Sequence, residues 1–163
     1  MIKIDYQNGK GSGKVVWRLG EGGDLKLQST EEKFPWFSYE HDAAFEPPGS
    51  DTLLLLDNGQ RRKKKDPEGH TRGQWWKIDE KSRTATLVMS ADLGVYAPFV
   101  GSAQRLSNGN FHFTTVAILS DVDFNARSIE VTPQGKVIFA LEASGAAIYR
   151  SNRVADLYTP PTR

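Results

Sequence analysis

An all-β fold is what this 163-residue sequence predicts, on three observations. Apolar runs end repeatedly in turn signals: "LLLLDNGQ" in Asp-Asn-Gly, "RLSNGNFHFTTVAI" with Asn-Gly ahead of alternating residues, and "VTPQGKVIFALE" through Pro-Gln-Gly. Helical spacing of apolar residues is not sustained, and the best helical candidate, "GAAIYRSNRVADLY", is short and interrupted by Ser151 and Asn152. The third observation is repetition. "IKIDYQNGKGSGKVVWRLG" from residue 2, "WKIDEKSRTATLVMSA" from residue 76 and "IEVTPQGKVIFALEA" from residue 129 share one plan: a short strand, a turn and a second strand.

Taken in order, residues 1–20 supply the outer two strands of a first unit. Residues 37–91 hold a full unit, in which "FSYEHDAAF" and "DTLLLLDNG" precede the second copy of the repeat. Residues 99–143 hold another, in which "VGSAQRL" and "NGNFHFTTVAI" precede the third copy. Residues 144–163 add a leading strand near "AAIYRSNRV" and a tail. Four strands in roughly 50–70 residues is the size of a β-propeller blade, so the chain is expected to be a single partial propeller domain of about two and a half blades. An open stack of blades leaves faces and strand edges uncovered. The chain is therefore expected to belong to a larger ring, as a fragment of a longer protein or by self-association.

Composition narrows the function classes. Hydrophobic residues make up 38% of the chain, enough for a real core. With 21 Lys and Arg against 20 Asp and Glu, no overall field favours nucleic acid, an anionic membrane or an acidic substrate. The absence of cysteine removes thiolate nucleophiles and Cys-based zinc sites but leaves the compartment open. Residues 1–14 lack the apolar core of a signal peptide, and no segment approaches the ~18 apolar residues of a membrane span. A soluble chain without membrane insertion is expected, with any targeting segment lost if the chain is a piece of a longer one.

Among the chemistry-bearing residues, His41 in "FSYEHDAAF" comes first. Strand alternation puts Phe37, Tyr39, His41, Ala43 and Phe45 on one face and Ser38, Glu40, Asp42 and Ala44 on the other. From that pattern alone, a packed, hydrogen-bonded core histidine is favoured over a nucleophile. Asp42 points away from His41 and reads as a turn or edge hydrogen-bonding residue. "RRKKK", residues 61–65, follows a turn and runs into "DPEGHTRG", so it reads as a solvated loop, with His70 exposed. "NGKGSGK" is not a phosphate loop, since Lys14 is followed by Val15 and no helix follows; a hairpin turn explains it. "SDVDFN" sets Asp121 and Asp123 on one face of an extended run but lacks the glycine and distal glutamate of a calcium loop, so no metal site is expected.

Six motifs, "EHDAAF", "LLLLDNG", "TRGQWWKID", "GSAQRLSNGN", "IEVTPQGKVIF" and "IYRSNR", resemble in order and spacing the C-terminal portion of the arylsulfotransferase family of β-propellers. The resemblance spans almost the whole chain. It implies a six-bladed ring in bacterial, usually exported enzymes, hence a periplasmic or secreted location. It also implies transfer of a sulfuryl group from an aryl sulfate to a phenol through a sulfated histidine, with no nucleotide donor and no cofactor. An aryl sulfate requires a neutral imidazole as nucleophile and cationic or hydrogen-bonding groups around the sulfuryl oxygens.

By that resemblance His41 is the catalytic candidate, and Asn58, Arg61, Gln104 and Arg150 are candidate substrate-binding residues, with Arg72 a possible further lining group. The sequence departs from the pattern at two places. Asp57-Asn58-Gly59 ends the strand where the family's arginine is expected, with Arg61 and Arg62 only beyond the turn. Gln104 in "GSAQ" stands where a nucleophilic histidine is expected, and the nearest histidine is His112, inside "NFHFTT" opposite Phe111 and Phe113. Two readings follow: part of an aryl-sulfate sulfotransferase, inactive as an isolated chain, or a non-catalytic propeller whose rim binds a protein or glycan. A third reading is that the isolated chain is only a structural unit, able to complete a ring by association and without activity alone.

Overall fold

The computed structural model describes residues 1–28, 32–120, 123–154 and 156, with the side chains of 118–120 not described. Asp121 of the "SDVDFN" run and the tail beyond residue 156 lie outside the described residues.

The chain opens with a hairpin of β1 (Ile2–Ile4) and β2 (Val15–Arg18). The intervening "NGKGSGK" run is a loop tied by the Asp5 carboxylate, which accepts the Ser12 N–H and hydroxyl at 2.9 and 2.8 Å. Trp17 alternates inward and is buried, while Ile2, Ile4 and Val16 stay exposed.

Next comes a five-stranded sheet. β4 (Glu40–Phe45), β5 (Thr52–Asp57), β6 (Arg72–Asp79) and β7 (Thr84–Asp92) form an antiparallel meander, and the short β3 (Lys26–Leu27) pairs parallel to β7. The four leucines of β5 show why this sheet is central. Leu53 and Leu55 join Trp17, Phe37, Trp76 and Ile78 on one face, whereas Leu54 and Leu56 join Met89, Phe111, Phe113 and Ile129 on the other. A strand covered on both sides needs no polar residue at alternate positions.

The cover on the second face is a four-stranded antiparallel meander. Its strands are β8 (Ser102–Arg105), β9 (Phe111–Ser120), β10 (Asp123–Val131) and β11 (Val137–Ser144), in the order β11-β10-β9-β8. The two sheets approach closely at Gly73 of β6. A Cβ built there would lie 2.3 Å from ring carbons of Phe113. Val137, Phe139 and Leu141 of β11 remain exposed.

Three segments differ from their reading in the sequence. The "RRKKK" run is not a loop: Gln60–Lys65 form a short helix, α1. Gly59, at φ +74°, turns the chain out of β5, and Arg62 folds back into the interior to meet Asp57. Strict alternation along β4 also fails. Tyr39 and Asp42 adopt φ of +58° and +50°, and the register slips between His41 and Ala44, so Tyr39 is exposed while Phe37 is buried. Residues 145–154, read as containing a leading strand, carry none; side chains of β8 hold them instead of a strand edge.

Candidate active site

The site grows from the end of β5. Asn58 is fully buried, and its amide NH2 donates to two backbone carbonyls of the β7–β8 connection, Ala97 at 2.7 Å and Val100 at 3.1 Å. Thr71 braces the same connection: its hydroxyl oxygen accepts the Ala97 N–H at 2.8 Å. With both amide protons committed, only the Asn58 oxygen faces β4, and it lies 2.7 Å from His41 Nδ1. The Tyr39 carbonyl lies 3.3 Å from the same nitrogen. Both neighbours of Nδ1 are therefore acceptors, so Nδ1 carries the proton. In the neutral ring this leaves the lone pair on Nε2, which has no hydrogen-bond partner among the described residues.

His41 is half-buried near the start of β4, paired opposite Leu56, and the register slip that follows separates it from Phe45. The positive φ values on either side explain why period-2 reasoning misplaces it. Asp42 next to it does act as an edge anchor. One carboxylate oxygen accepts the Ala103 N–H of β8 at 3.1 Å, and the other stands 3.6 Å from Arg150. The Arg150 guanidinium also lies over the Tyr149 ring at 5.4 Å.

Of the residues singled out in the sequence, the fold joins His41 directly to Asn58 and brings Arg150 to the neighbouring Asp42. Gln104 is engaged elsewhere. Its amide donates to the Arg153 carbonyl at 3.0 Å and accepts the Arg153 N–H at 2.9 Å, a side-chain imitation of strand pairing. Arg61 turns to Glu21 at 3.3 Å and lines two clefts, one of about 190 Å3 reaching Tyr39 and Glu40. Arg72 pairs with Glu32. His70 sits 2.9 Å from Asp92 and is partly covered.

A second polar cluster lies on the face of β9 away from the central sheet. His112 is fully buried, with Nε2 2.6 Å from the Ser128 hydroxyl and 3.4 Å from that of Ser151. Ser151 also meets the Thr114 hydroxyl at 2.5 Å. Burial, reinforced by the positive charge of Arg153 and opposed by Glu130, pushes the His112 pKa down to about 4. Its imidazole is neutral at pH 7 but enclosed. The carbonyls of Ala97 and Val100 and the brace at Thr71 had no signal in the sequence, because their role depends on backbone atoms of a turn.

No group of three or more metal-ligating side chains is gathered among the described residues. No helix among them is long and apolar enough to cross a membrane. No curated protein matches the chain. The family model described as arylsulfotransferase (ASST) matches residues 1–150, nearly the full length, and the chain belongs to that family.

Proposed function

We propose that this chain supplies the nucleophile of a sulfuryl transfer from an aryl sulfate to a phenol, with His41 Nε2 as the attacking atom. The observation that carries the reading is the fixed tautomer: Asn58 and Tyr39 accept from Nδ1, leaving Nε2 basic and unengaged among the described residues. Attack of Nε2 on sulfur forms the N–S bond as the S–O bond to the aryl group breaks, and the phenolate departs with the electron pair. The sulfated ring is cationic, and the Nδ1–H bond to Asn58 strengthens as that charge develops. A second phenol then attacks sulfur, the N–S bond breaks, and the neutral ring returns. The acceptor's proton passes to the departed phenolate or to water. Arg150, beside Asp42, is the cation assigned to the sulfuryl oxygens.

The family membership supports sulfuryl-transfer chemistry in general, and the histidine route and the phenolic substrates are the finer reading. We read the β4–β7 and β8–β11 meanders as adjacent blades and the β1–β2 hairpin as part of a third. The exposed outer faces of β1–β2 and β11 suit closure by further copies. A non-catalytic binding propeller is the competing reading, and Gln104 favours it, since its amide is consumed by Arg153.

The test is 4-nitrophenyl sulfate turnover with a phenol acceptor, measured on the species whose mass has been fixed by light scattering. Wild-type protein is expected to turn over only in an associated form, and His41→Ala is expected to fall to the uncatalysed rate. Unchanged turnover in His41→Ala would favour a different nucleophile; no turnover in any assembled form would favour the binding reading.

A further inference from the structure

Residues 149–153 cross the outer face of β8–β10 without pairing to a strand, and side-chain contacts hold them there. Ser151 enters a buried group of hydroxyls. Its N–H donates to the Thr114 oxygen at 3.0 Å, and its carbonyl accepts the Ser102 hydroxyl at 3.0 Å. Its own hydroxyl stands 3.3 Å from that of Ser128 and 3.4 Å from His112 Nε2. Two residues on, Arg153 exchanges backbone hydrogen bonds with the Gln104 amide, pairs with Glu130 at 2.8 Å and lies over the Phe139 ring at 5.4 Å. Arg150, beside Ser151, reaches from this segment to Asp42 at 3.6 Å. Tyr149 and Val154, at its two ends, are exposed. A segment held by polar contacts, with little apolar burial and no backbone ladder, opens at lower cost than the sheet beneath it.

Beneath Ser151, His112 is the group that can change charge. It is fully buried although it sits on the outer face of its sheet, where Ser151 and Arg153 meet it from outside. Its Nε2 faces the Ser128 and Ser151 hydroxyls, but Nδ1 is buried with no partner among the described residues. A protonated ring carries a hydrogen on both nitrogens. The Nδ1–H would then be an enclosed donor without an acceptor, a cost that water relieves once the segment lifts. Charge acts in the same direction. Arg153 on the segment opposes a cationic His112, Glu130 of β10 favours it, and β8 presents the neutral Gln104 opposite it. Burial, with Arg153, prevails, and the His112 pKa falls to about 4. The Asn110 amide holds the Glu130 carboxyl below its ordinary value, so Glu130 stays charged while His112 titrates. We propose that residues 149–153 are an acid-released strap, which when docked sets Arg150 beside Asp42 and the His41 site, and which protonation of His112 lifts, withdrawing Arg150. The strap's effect on sulfuryl transfer rests on the role given to Arg150, whereas its release does not.

The experiment is hydrogen exchange of the full chain at about pH 7.5 and about pH 5, each rate corrected for the intrinsic effect of pH. The amides of Ser151 and Arg153, which donate to Thr114 and Gln104, report the strap, and those of Leu55 and Ile129 report the sheets. If lifting returned His112 fully to its ordinary value of 6.5, this drop in pH would raise the open fraction by on the order of thirtyfold. A loss of protection of about tenfold or more is expected at Ser151 and Arg153, with little change at Leu55 and Ile129. His112→Gln, which keeps a donor for Ser128 and does not take up a proton, is expected to abolish the pH dependence. By reciprocity, Ser151→Ala, which loosens the strap, is expected to raise the His112 pKa toward 6.5, read by NMR from its ring protons. Neither readout requires turnover, so an inert His41 leaves the strap standing, and a strap indifferent to pH leaves the sulfuryl reading standing. The proposal is overturned if the strap amides keep their protection at the lower pH, if the sheets lose protection in parallel, if His112→Gln retains the pH dependence, or if Ser151→Ala leaves the His112 pKa unmoved.

Discussion

Asn58 uses both amide protons on the carbonyls of Ala97 and Val100, so the atom it offers His41 is an acceptor. Replacement by aspartate tests this division of labour. A carboxylate can still accept from His41 Nδ1, but it cannot donate to the carbonyls of Ala97 and Val100; Ala97 keeps the Thr71 hydroxyl at 3.2 Å, whereas Val100 loses its Asn58 donor. Asn58→Asp is expected to lose about 1–3 kcal/mol at pH 7, measured by urea denaturation. His112 gives a prediction of different sign. Its pKa is depressed from the model-compound value of 6.5 to about 4, so between those values the unfolded chain binds a proton that the native chain does not. Stability should be complete above about pH 6.5, fall as pH drops toward 4 and level off below, with a total effect of the order of 3 kcal/mol. His112→Gln should flatten that part of the urea-midpoint profile, whatever it does to stability at neutral pH.

At the scale of elements, the joint between β5 and α1 rests on a buried ion pair. Arg62 donates to Asp57 at 2.6 Å and to the His70 carbonyl through its other nitrogens, while the Ser38 N–H donates to the second Asp57 oxygen. Burial raises the Asp57 carboxyl despite Arg62 and Ser38, as expected of a pair whose desolvation outweighs its attraction. Arg62→Met should therefore cost about 3–5 kcal/mol by stranding a buried carboxylate, and the double change Asp57→Asn with Arg62→Met should cost clearly less. Calorimetric melting of the two variants checks the ordering. This joint also marks where sequence reading stops. "LLLLDNG" announces a buried strand and a turn, since apolar runs and Asn-Gly report on local chain preference. That one arginine of "RRKKK" turns inward is decided by a carboxylate at the end of the preceding strand, a tertiary fact. His41 is similar: its residue type was conspicuous, but the bend at Tyr39 and Asp42 and the carbonyls that fix Asn58 could not be read from spacing.

For the whole molecule, the contact between the two large sheets depends on a missing side chain. Gly73 leaves room for Phe113, and a Cβ there would come within 2.3 Å of its ring. Gly73→Ala should destabilise the protein by about 1–3 kcal/mol through overpacking, and Phe113→Leu in the same chain should restore part of the loss. The predominance of strands was legible because alternation and turn residues recur along the chain, whereas this close approach is invisible to composition.

The central claim is that His41 Nε2 accepts the sulfuryl group. Its most direct test is peptide-resolved mass spectrometry of the protein rapidly quenched after mixing with 4-nitrophenyl sulfate and no acceptor. The account predicts one added SO3 group on the peptide containing His41, removed on adding a phenol and absent in His41→Ala. Release of 4-nitrophenol with no adduct at His41, or an adduct carried by another residue, would contradict it.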